Sequence, residues 1–310
     1  MQPTPHIWLR AETAAHEHRT PLTPRDAALL VDRDAIVSVE RSDLRVFGIE
    51  EYAEAGCHVV EAGSWMSAPA DAHILGIKEP LGLHAPLHHR HVFFGHAYKG
   101  QADAPRVLRR FVEGDGVLLD LESLVDDSGH RVAAFGYWAG YVGATLAVLR
   151  FEGSLHAPLR HLSRAELDSS LLTASAGCPA RVLVLGALGQ AGRGACDAVE
   201  TTGSRATKWD LRETEMLDVE TILSHDILIN AVATAAPGRP FLTDIDVQSP
   251  QRQLTTVADV TCDVTNAHNR LPFNDRTTTW ETPFRQVSWP PPTRGTSRSG
   301  AGVVGVGIGM

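Results

Sequence analysis

The run Val182-Leu183-Val184-Leu185 breaks directly into Gly186-Ala187-Leu188-Gly189-Gln190-Ala191-Gly192, and no other stretch of the chain restricts the fold as strongly. An apolar strand that gives way to spaced glycines predicts a strand-to-helix turn wrapped around a pyrophosphate. Gly186 permits the tight turn, Gly189 lets the main chain approach the phosphates, and Gly192 allows the helix to pack closely on the sheet. The amides at the helix start, reinforced by the helix dipole, then face negative charge. The spacing is G-x-x-G-x-x-G, not the commoner G-x-G-x-x-G, so the glycines alone also fit a turn without a ligand. A second short strand, Ala206-Thr207-Lys208-Trp209, ends in Asp210, near the offset of about 20 residues at which an acidic side chain meets the adenosine ribose. A carboxylate there repels a 2′-phosphate and favours NAD, while Arg212, two residues on, keeps NADP open.

The remaining chain alternates strand-like and helix-like segments. Ile7-Trp8-Leu9 and residues 35–39, 58–60, 73–77, 92–95 and 116–120 read as strands; residues 24–31, 49–55 and 105–111 read as helices, the first capped by Thr23 with Pro24 at its first position. Residues 136–151, rich in glycine, alanine and larger apolar side chains, predict a long buried helix, and residues 155–179 a connector. Strands at 226–230 and 254–260 continue the glycine-turn domain. The fold class is therefore α/β, with ligands expected at the carboxyl ends of the strands. The domains expected are a substrate and catalytic domain over 1–150, a connector over 151–180, an NAD-binding Rossmann domain over 181–287, and a low-complexity tail over 288–310. That tail is rich in glycine, proline and serine, has little side-chain area to bury, and is not expected to close a domain.

With 28 basic against 37 acidic residues in 310, the formal charge of −9 argues against nucleic acid or an anionic membrane as the partner and leaves small metabolites. Cys57, Cys178, Cys196 and Cys262 lack CxxC spacing, so reduced thiols in a cytosol are expected, with neither a zinc site nor a disulfide framework. The start of the sequence does not resemble a secretion signal and no apolar run is long enough to span a bilayer, which predicts a soluble, cytoplasmic protein. The oligomeric state is not written in the sequence.

Lys78 with Glu79, and His96 with Lys99, follow apolar strands at positions that face a ligand crevice, where a lysine and a histidine can carry protons; solvated strand caps are the alternative. His84, His88, His89, His91 and His96 only partly meet zinc-site spacings and lack a nearby thiolate or carboxylate ligand, so most are expected on the surface and no metal is expected. Arg19 and Arg131 are candidate carboxylate clamps, because the guanidinium fork matches a carboxylate bidentately.

Seven strings taken together resemble the NAD-dependent, lysine-forming saccharopine dehydrogenases, relatives of alanine dehydrogenase and of transhydrogenase nucleotide-binding subunits. They are Leu9-Arg10-Ala11-Glu12-Thr13, Ala62-Gly63-Ser64-Trp65, Gly76-Ile77-Lys78-Glu79, His96-Ala97-Tyr98-Lys99, Arg131-Val132-Ala133-Ala134-Phe135-Gly136, Gly186-Ala187-Leu188-Gly189 and Asp263-Val264-Thr265-Asn266-Ala267-His268-Asn269, in family order from about Leu9 to Phe284. The resemblance implies two Rossmann-like domains with the active site in the cleft between them, and reversible oxidative cleavage of saccharopine to lysine and 2-oxoglutarate. It implies that Lys78 takes the amine proton and that His96 serves the hydrolytic steps, with Glu79 and Glu122 placed to tune them. For substrate it implies Arg19, Gln101, Arg131, Phe135, Thr261, Cys262 and Asp263. For NAD it implies Gly186, Gly189, Gln190, Gly192, Asp210, Thr214 and Val260.

Three departures stand out: His130 where the family often has arginine, Ala233 where it has an aromatic residue near the adenosine, and everything after Val287. There the family continues with I-D-x-L-P, L-P-R-E-A-S and a terminal helix that returns to the first domain. Exposed apolar surface and lower stability are the expected consequences. Another opine-type or amino-acid dehydrogenase, and an inactive homologue that binds NAD or nothing, remain as alternative readings, and the direction of flux stays open.

Overall fold

The alternating segments fold into two compact units, Met1–Ala134 and Phe135–Met310. The structure is a computed structural model that describes residues 4–14, 17–80, 85–98, 104–129, 131–175, 180–232, 238–261, 264, 268–286 and 302–305.

The first unit runs β1 (His6–Leu9), α1 (Pro24–Val31), β2 (Ile36–Glu40), α2 (Ile49–Glu54), β3 (His58–Val60), β4 (His73–Leu75), β5 (Arg90–Phe93), α3 (Ala104–Gly114) and β6 (Val117–Asp120). All six strands are parallel, in the order β3-β2-β1-β4-β5-β6. That is the doubly wound order, whose switch point falls between β1 and β4. Alternation along β1 explains the two cores. Trp8 joins Ile74, Phe93, Val107 and Phe111 on one side, and Leu9 joins Val37, Val39, Ala27 and Tyr52 on the other. A parallel sheet must be covered on both faces, and period-two apolar residues supply both. Thr23 caps α1 by accepting from the Asp26 amide at 3.2 Å, with Pro24 following, as the sequence predicts.

Of the five histidines, most of which were expected on the surface, two among the described residues are buried. His91 is 1 % exposed and packs edge-on against Trp65 and Phe111, and burial, helped by His89, Arg10 and Arg110, pushes it down to about 3. His89 is buried too and meets the Ala68 carbonyl at 3.1 Å. For His91 its position on β5 decides this, because alternate residues of a central strand point into packed layers whatever their polarity; His89 immediately precedes the strand.

The second unit runs α4 (Gly136–Phe151), α5 (Arg164–Ala174), β7 (Val182–Leu185), α6 (Gln190–Thr201), β8 (Thr207–Trp209), α7 (Leu211–Glu215), α8 (Val219–Ser224), β9 (Ile227–Asn230), β10 (Thr256–Asp259), β11 (Arg285–Gln286) and β12 (Gly302–Gly305). The sheet order is β11-β12-β10-β9-β7-β8, parallel apart from β11. Val182, Val184, Ile227 and Ile229 face one core and Leu183, Leu185 and Leu228 the other.

Three features differ from the sequence reading. The division between units precedes α4, where the sequence places it near residue 150, because α4 packs face to face on α6. A Cβ on Gly140 would overlap the Ala191 carbonyl and one on Gly194 the Tyr137 carbonyl, so both glycines let the two helices approach closely. Within the expected connector lies α5, started by a capping box in which Ser163 and Glu166 satisfy each other's amides. Finally, the tail contributes β12, parallel to β10 and antiparallel to β11. Strand pairing uses main-chain groups alone, so a segment with little side-chain area still adds to an open edge.

Cys57 and Cys196 are buried free thiols, pushed up by burial. Cys178 and Cys262 lie outside the described residues. Among the described residues, no helix is long and apolar enough to cross a membrane. Gly140→Ala is expected to destabilise the second unit by about 1–3 kcal/mol, the usual range for overpacking, seen as a lower urea midpoint at unchanged slope.

Candidate active site

The carboxyl ends of β4 and β5 bring Lys78 and His96 into neighbouring segments of the first unit. The Phe94 amide donates to the Ile77 carbonyl at 3.0 Å, so a main-chain bond ties together the two segments that carry them. Glu12, just beyond β1, accepts from the Ile77 amide at 2.6 Å and the Lys78 amide at 3.2 Å and pairs with buried Arg10 at 3.4 Å. The Arg10 guanidinium lies against Gly76, where a Cβ would sit 2.5 Å from its Cζ. The Glu12 carboxylate thus ties the string Gly76-Ile77-Lys78 to the buried Arg10.

Lys78 also acts electrostatically on Glu17. Arg19 donates to Glu17 through Nε at 2.7 Å and Nη2 at 2.5 Å, and its amide adds a third bond at 3.1 Å. Burial works to raise the Glu17 carboxyl, but the bonds and charge of Arg19, helped by Lys78, outweigh it and hold the group below its ordinary value. Arg19, expected as a substrate clamp, is therefore itself set by an acidic partner that the sequence reading did not single out.

His96 occupies the left-handed backbone region, φ 48°. Histidine enters that region more readily than most residues, although such positions cost about 1–3 kcal/mol and cluster at functional sites. Its side chain is about half exposed, and Nδ1 lies 3.4 Å from Oε1 of the mostly buried Glu122. Glu79 is occupied elsewhere, with Arg106 at 2.9 and 2.7 Å and Arg110 at 2.7 Å, anchoring α3 to the segment after β4. Of the two acids expected to tune Lys78 and His96, Glu122 stands against His96 and Glu79 serves the packing of α3. The Ala62-Gly63-Ser64-Trp65 string is structural as well: wholly buried Glu40, at the end of β2, accepts from the amides of Ala11, Gly63 and Trp65 and from the Trp8 indole. Arg131 is exposed and forms a bridge with Val125. Gln101 and Lys99 lie outside the described residues, as do His84 and His130.

In the second unit, Gly186 has φ 74° and a Cβ on Gly192 would overlap its carbonyl, so the turn and the first turn of α6 are pressed together. Gly189 occupies the N-cap position of α6 without a side-chain cap, and Gln190 opens the helix. Amides left uncapped at a helix N-terminus suit an anion. Asp210 binds the Leu188 amide through Oδ2 and the Leu211 amide through Oδ1, both at 2.9 Å, which fastens the end of β8 to the glycine turn. The Thr214 hydroxyl is bonded to the carbonyls of Asp210 and Leu211. Val260 belongs to the core beside β10. Thr261 donates to buried Asp259, whose carboxylate also accepts from Asn230 and Asn274 at 2.9 and 2.8 Å. Phe135 stands at the start of α4; Cys262, Asp263 and Ala233 lie outside the described residues.

Residues 8–142 match the model of the alanine dehydrogenase/PNT N-terminal domain. The fold resembles an L-alanine dehydrogenase, with TM-score 0.56 and 16 % identity over 93 % of this chain and 83 % of that one. A transhydrogenase from Sinorhizobium meliloti gives TM-score 0.54 and 16 % identity over 82 % of this chain and 77 % of that one. Fold and turn thus define a two-unit α/β protein of the alanine dehydrogenase and transhydrogenase type. In sequence, the lysine-forming, NAD(+) saccharopine dehydrogenase of Schizosaccharomyces pombe is 39 % identical, covering 93 % of this chain and 84 % of that protein. The enzyme of the same name from Emericella nidulans is 40 % identical, over 94 % of this chain and 84 % of that protein. The chain belongs to the lysine-forming saccharopine dehydrogenase family.

Because the folded Glu17 lies below its ordinary value of 4.5, its contribution to stability is present above that value and is lost as pH falls through the folded one. Glu17→Gln is expected to cost about 1.5–3 kcal/mol at neutral pH, the range for hydrogen bonds to charged groups, and to flatten the acid limb of the stability curve. Urea titrations of both proteins between neutral pH and the acid limb test this.

Proposed function

We propose that this chain catalyses the reversible, NAD-dependent cleavage of saccharopine to L-lysine and 2-oxoglutarate, as an oxidoreductase acting on a CH–NH bond. The observation that carries the reading is the placement of Lys78 and His96 on adjacent segments joined by the Phe94–Ile77 bond, each beside its own carboxylate system. In the cleavage direction Lys78 accepts the proton of the secondary amine. NAD, when bound, supplies the hydride acceptor for the carbon beside that amine. Water then adds to the imine with His96 as acid-base group, and the carbinolamine collapses to the amine and the oxo acid.

Arg19, with Arg131 and Gln101, meets the carboxylates of a substrate that has several, while Asp263 meets its ammonium group, and Thr261, Cys262 and Phe135 complete the set. Gly186, Gly189, Gln190 and Gly192 receive the pyrophosphate of NAD, with Thr214 and Val260 at its flanks. The Gly186–Gly192 cradle, which a Cβ would fill, and the uncapped start of α6 support this. Asp210 meets the adenosine ribose, and its charge selects NAD over NADP. Unpaired buried thiols fit a reducing compartment, and the same reading places the protein in the cytoplasm.

Lysine, 2-oxoglutarate and NADH mixed with folded protein are expected to consume NADH. Lys78→Met and His96→Gln are each expected to lower kcat by about 10²–10⁴-fold, the usual range for losing a general acid or base. Turnover with another amino acid and none with lysine would replace the substrate, and no turnover at all would overturn the reading. NADPH is expected to be at least about tenfold poorer than NADH in kcat/KM, since like-charge juxtaposition costs several kcal/mol and about 1.4 kcal/mol is tenfold. An Asp210→Ser variant that leaves this ratio unchanged would remove Asp210 from cofactor selection.

A further inference from the structure

We infer that Asp120 is a positioning residue for the His96–Glu122 pair, acting as a clasp between the two turns that carry them. Asp120 ends β6 and lies opposite Phe93 of β5 in the parallel register. A single oxygen, Oδ1, accepts from the Gly95 amide at 3.1 Å and from the Glu122 amide at 2.9 Å. The first bond fixes the Phe94–Gly95 peptide, one peptide before the link to His96. The second caps the short turn Leu121–Ser123, on which Glu122 sits. One atom therefore sets the heights of both turns, and the 3.4 Å approach of His96 Nδ1 to Glu122 Oε1 follows from it.

The surroundings make the clasp specific. Gly95 lies so near β6 that a Cβ there would stand 2.9 Å from the Leu118 side chain and 3.4 Å from Asp120 Oδ2. The next residue, His96, turns in the left-handed region, so its direction depends on where the Gly95 peptide is held. Nothing in the first unit's hydrophobic packing calls for this carboxylate, since its neighbours on the strand, Leu118 and Leu119, supply the apolar contacts or face outward. An acceptor at this point serves the two turns.

This inference rests on the assignment of His96 to the chemistry, so its test separates the two. Wild-type turnover of lysine, 2-oxoglutarate and NADH is measured first, and its absence overturns the functional reading without touching the clasp. Amide hydrogen exchange at Gly95 and Glu122 then reads the clasp directly. Asp120→Ala is expected to lose protection at both amides together, while Asp120→Asn, which keeps an acceptor oxygen, retains it. In the active enzyme, Asp120→Ala is expected to lower kcat by about 10²-fold, as a misplacement of about 1 Å does, with KM for NADH within about twofold, because the glycine turn belongs to the other unit. Asp120→Asn is expected to restore most of kcat. Unchanged protection in the alanine variant would overturn the inference. So would an asparagine variant as impaired as alanine, or an alanine variant whose loss lies in KM for NADH and not in kcat.

Discussion

Carboxylates at or just past the carboxyl ends of strands, which accept hydrogen bonds from neighbouring loops and strands, are what that end of each sheet depends on. A parallel sheet leaves its loops to find their own partners, since a buried amide without one costs about 1–3 kcal/mol. Here acidic side chains provide them. Glu40 at the end of β2, Glu12 just beyond β1, Asp120 at the end of β6 and Asp259 at the end of β10 bind, respectively, three amides and an indole, two amides, two amides, and three side-chain donors. Asp210 does the same for the glycine turn. Hydrogen bonds to an ionised acceptor are the stronger kind, and they fix the loops without requiring a bulky core beneath them.

That device explains which parts of the molecule were legible beforehand. Patterns governed by local rules could be read: the Thr23-Pro24 helix start, the alternation along β1 and β7, and the spaced glycines of the turn. The positions of Lys78 and His96 just past apolar strands were legible because following such a strand is a local fact. The clasps were not, because Gly95 and Asp120, or Gly63 and Glu40, are far apart in sequence and meet only through strand order. Nor does an acidic residue closing a strand look different from one that caps it in solvent.

Other differences have equally physical origins. Helix α5 was signalled by Ser163 and Glu166, but its weak apolar pattern, with Leu167 and Leu171 its buried side chains, did not stand out from a connector. Strand β12 carries no side-chain pattern at all because main-chain pairing sufficed. His91 was not told apart from the other histidines of its region, most of which were expected on the surface, whereas the pleat of β5 sends it between Trp65 and Phe111. Glu79 and Glu122 looked equivalent in sequence; Arg106 and Arg110 on α3 claim the former and leave the latter to His96.

The main-chain bond between Phe94 and Ile77 has a geometric consequence. It lies just past the last rungs of the β4–β5 ladder and joins the two loops through main-chain atoms, one residue before Lys78 and two before His96. No side chain takes part in that bond, so a substitution at Ile77 or Phe94 that leaves the main chain in place leaves the tie between the two loops intact. Differences among related chains in these side chains can therefore alter the lining of the sheet's end without separating the two segments.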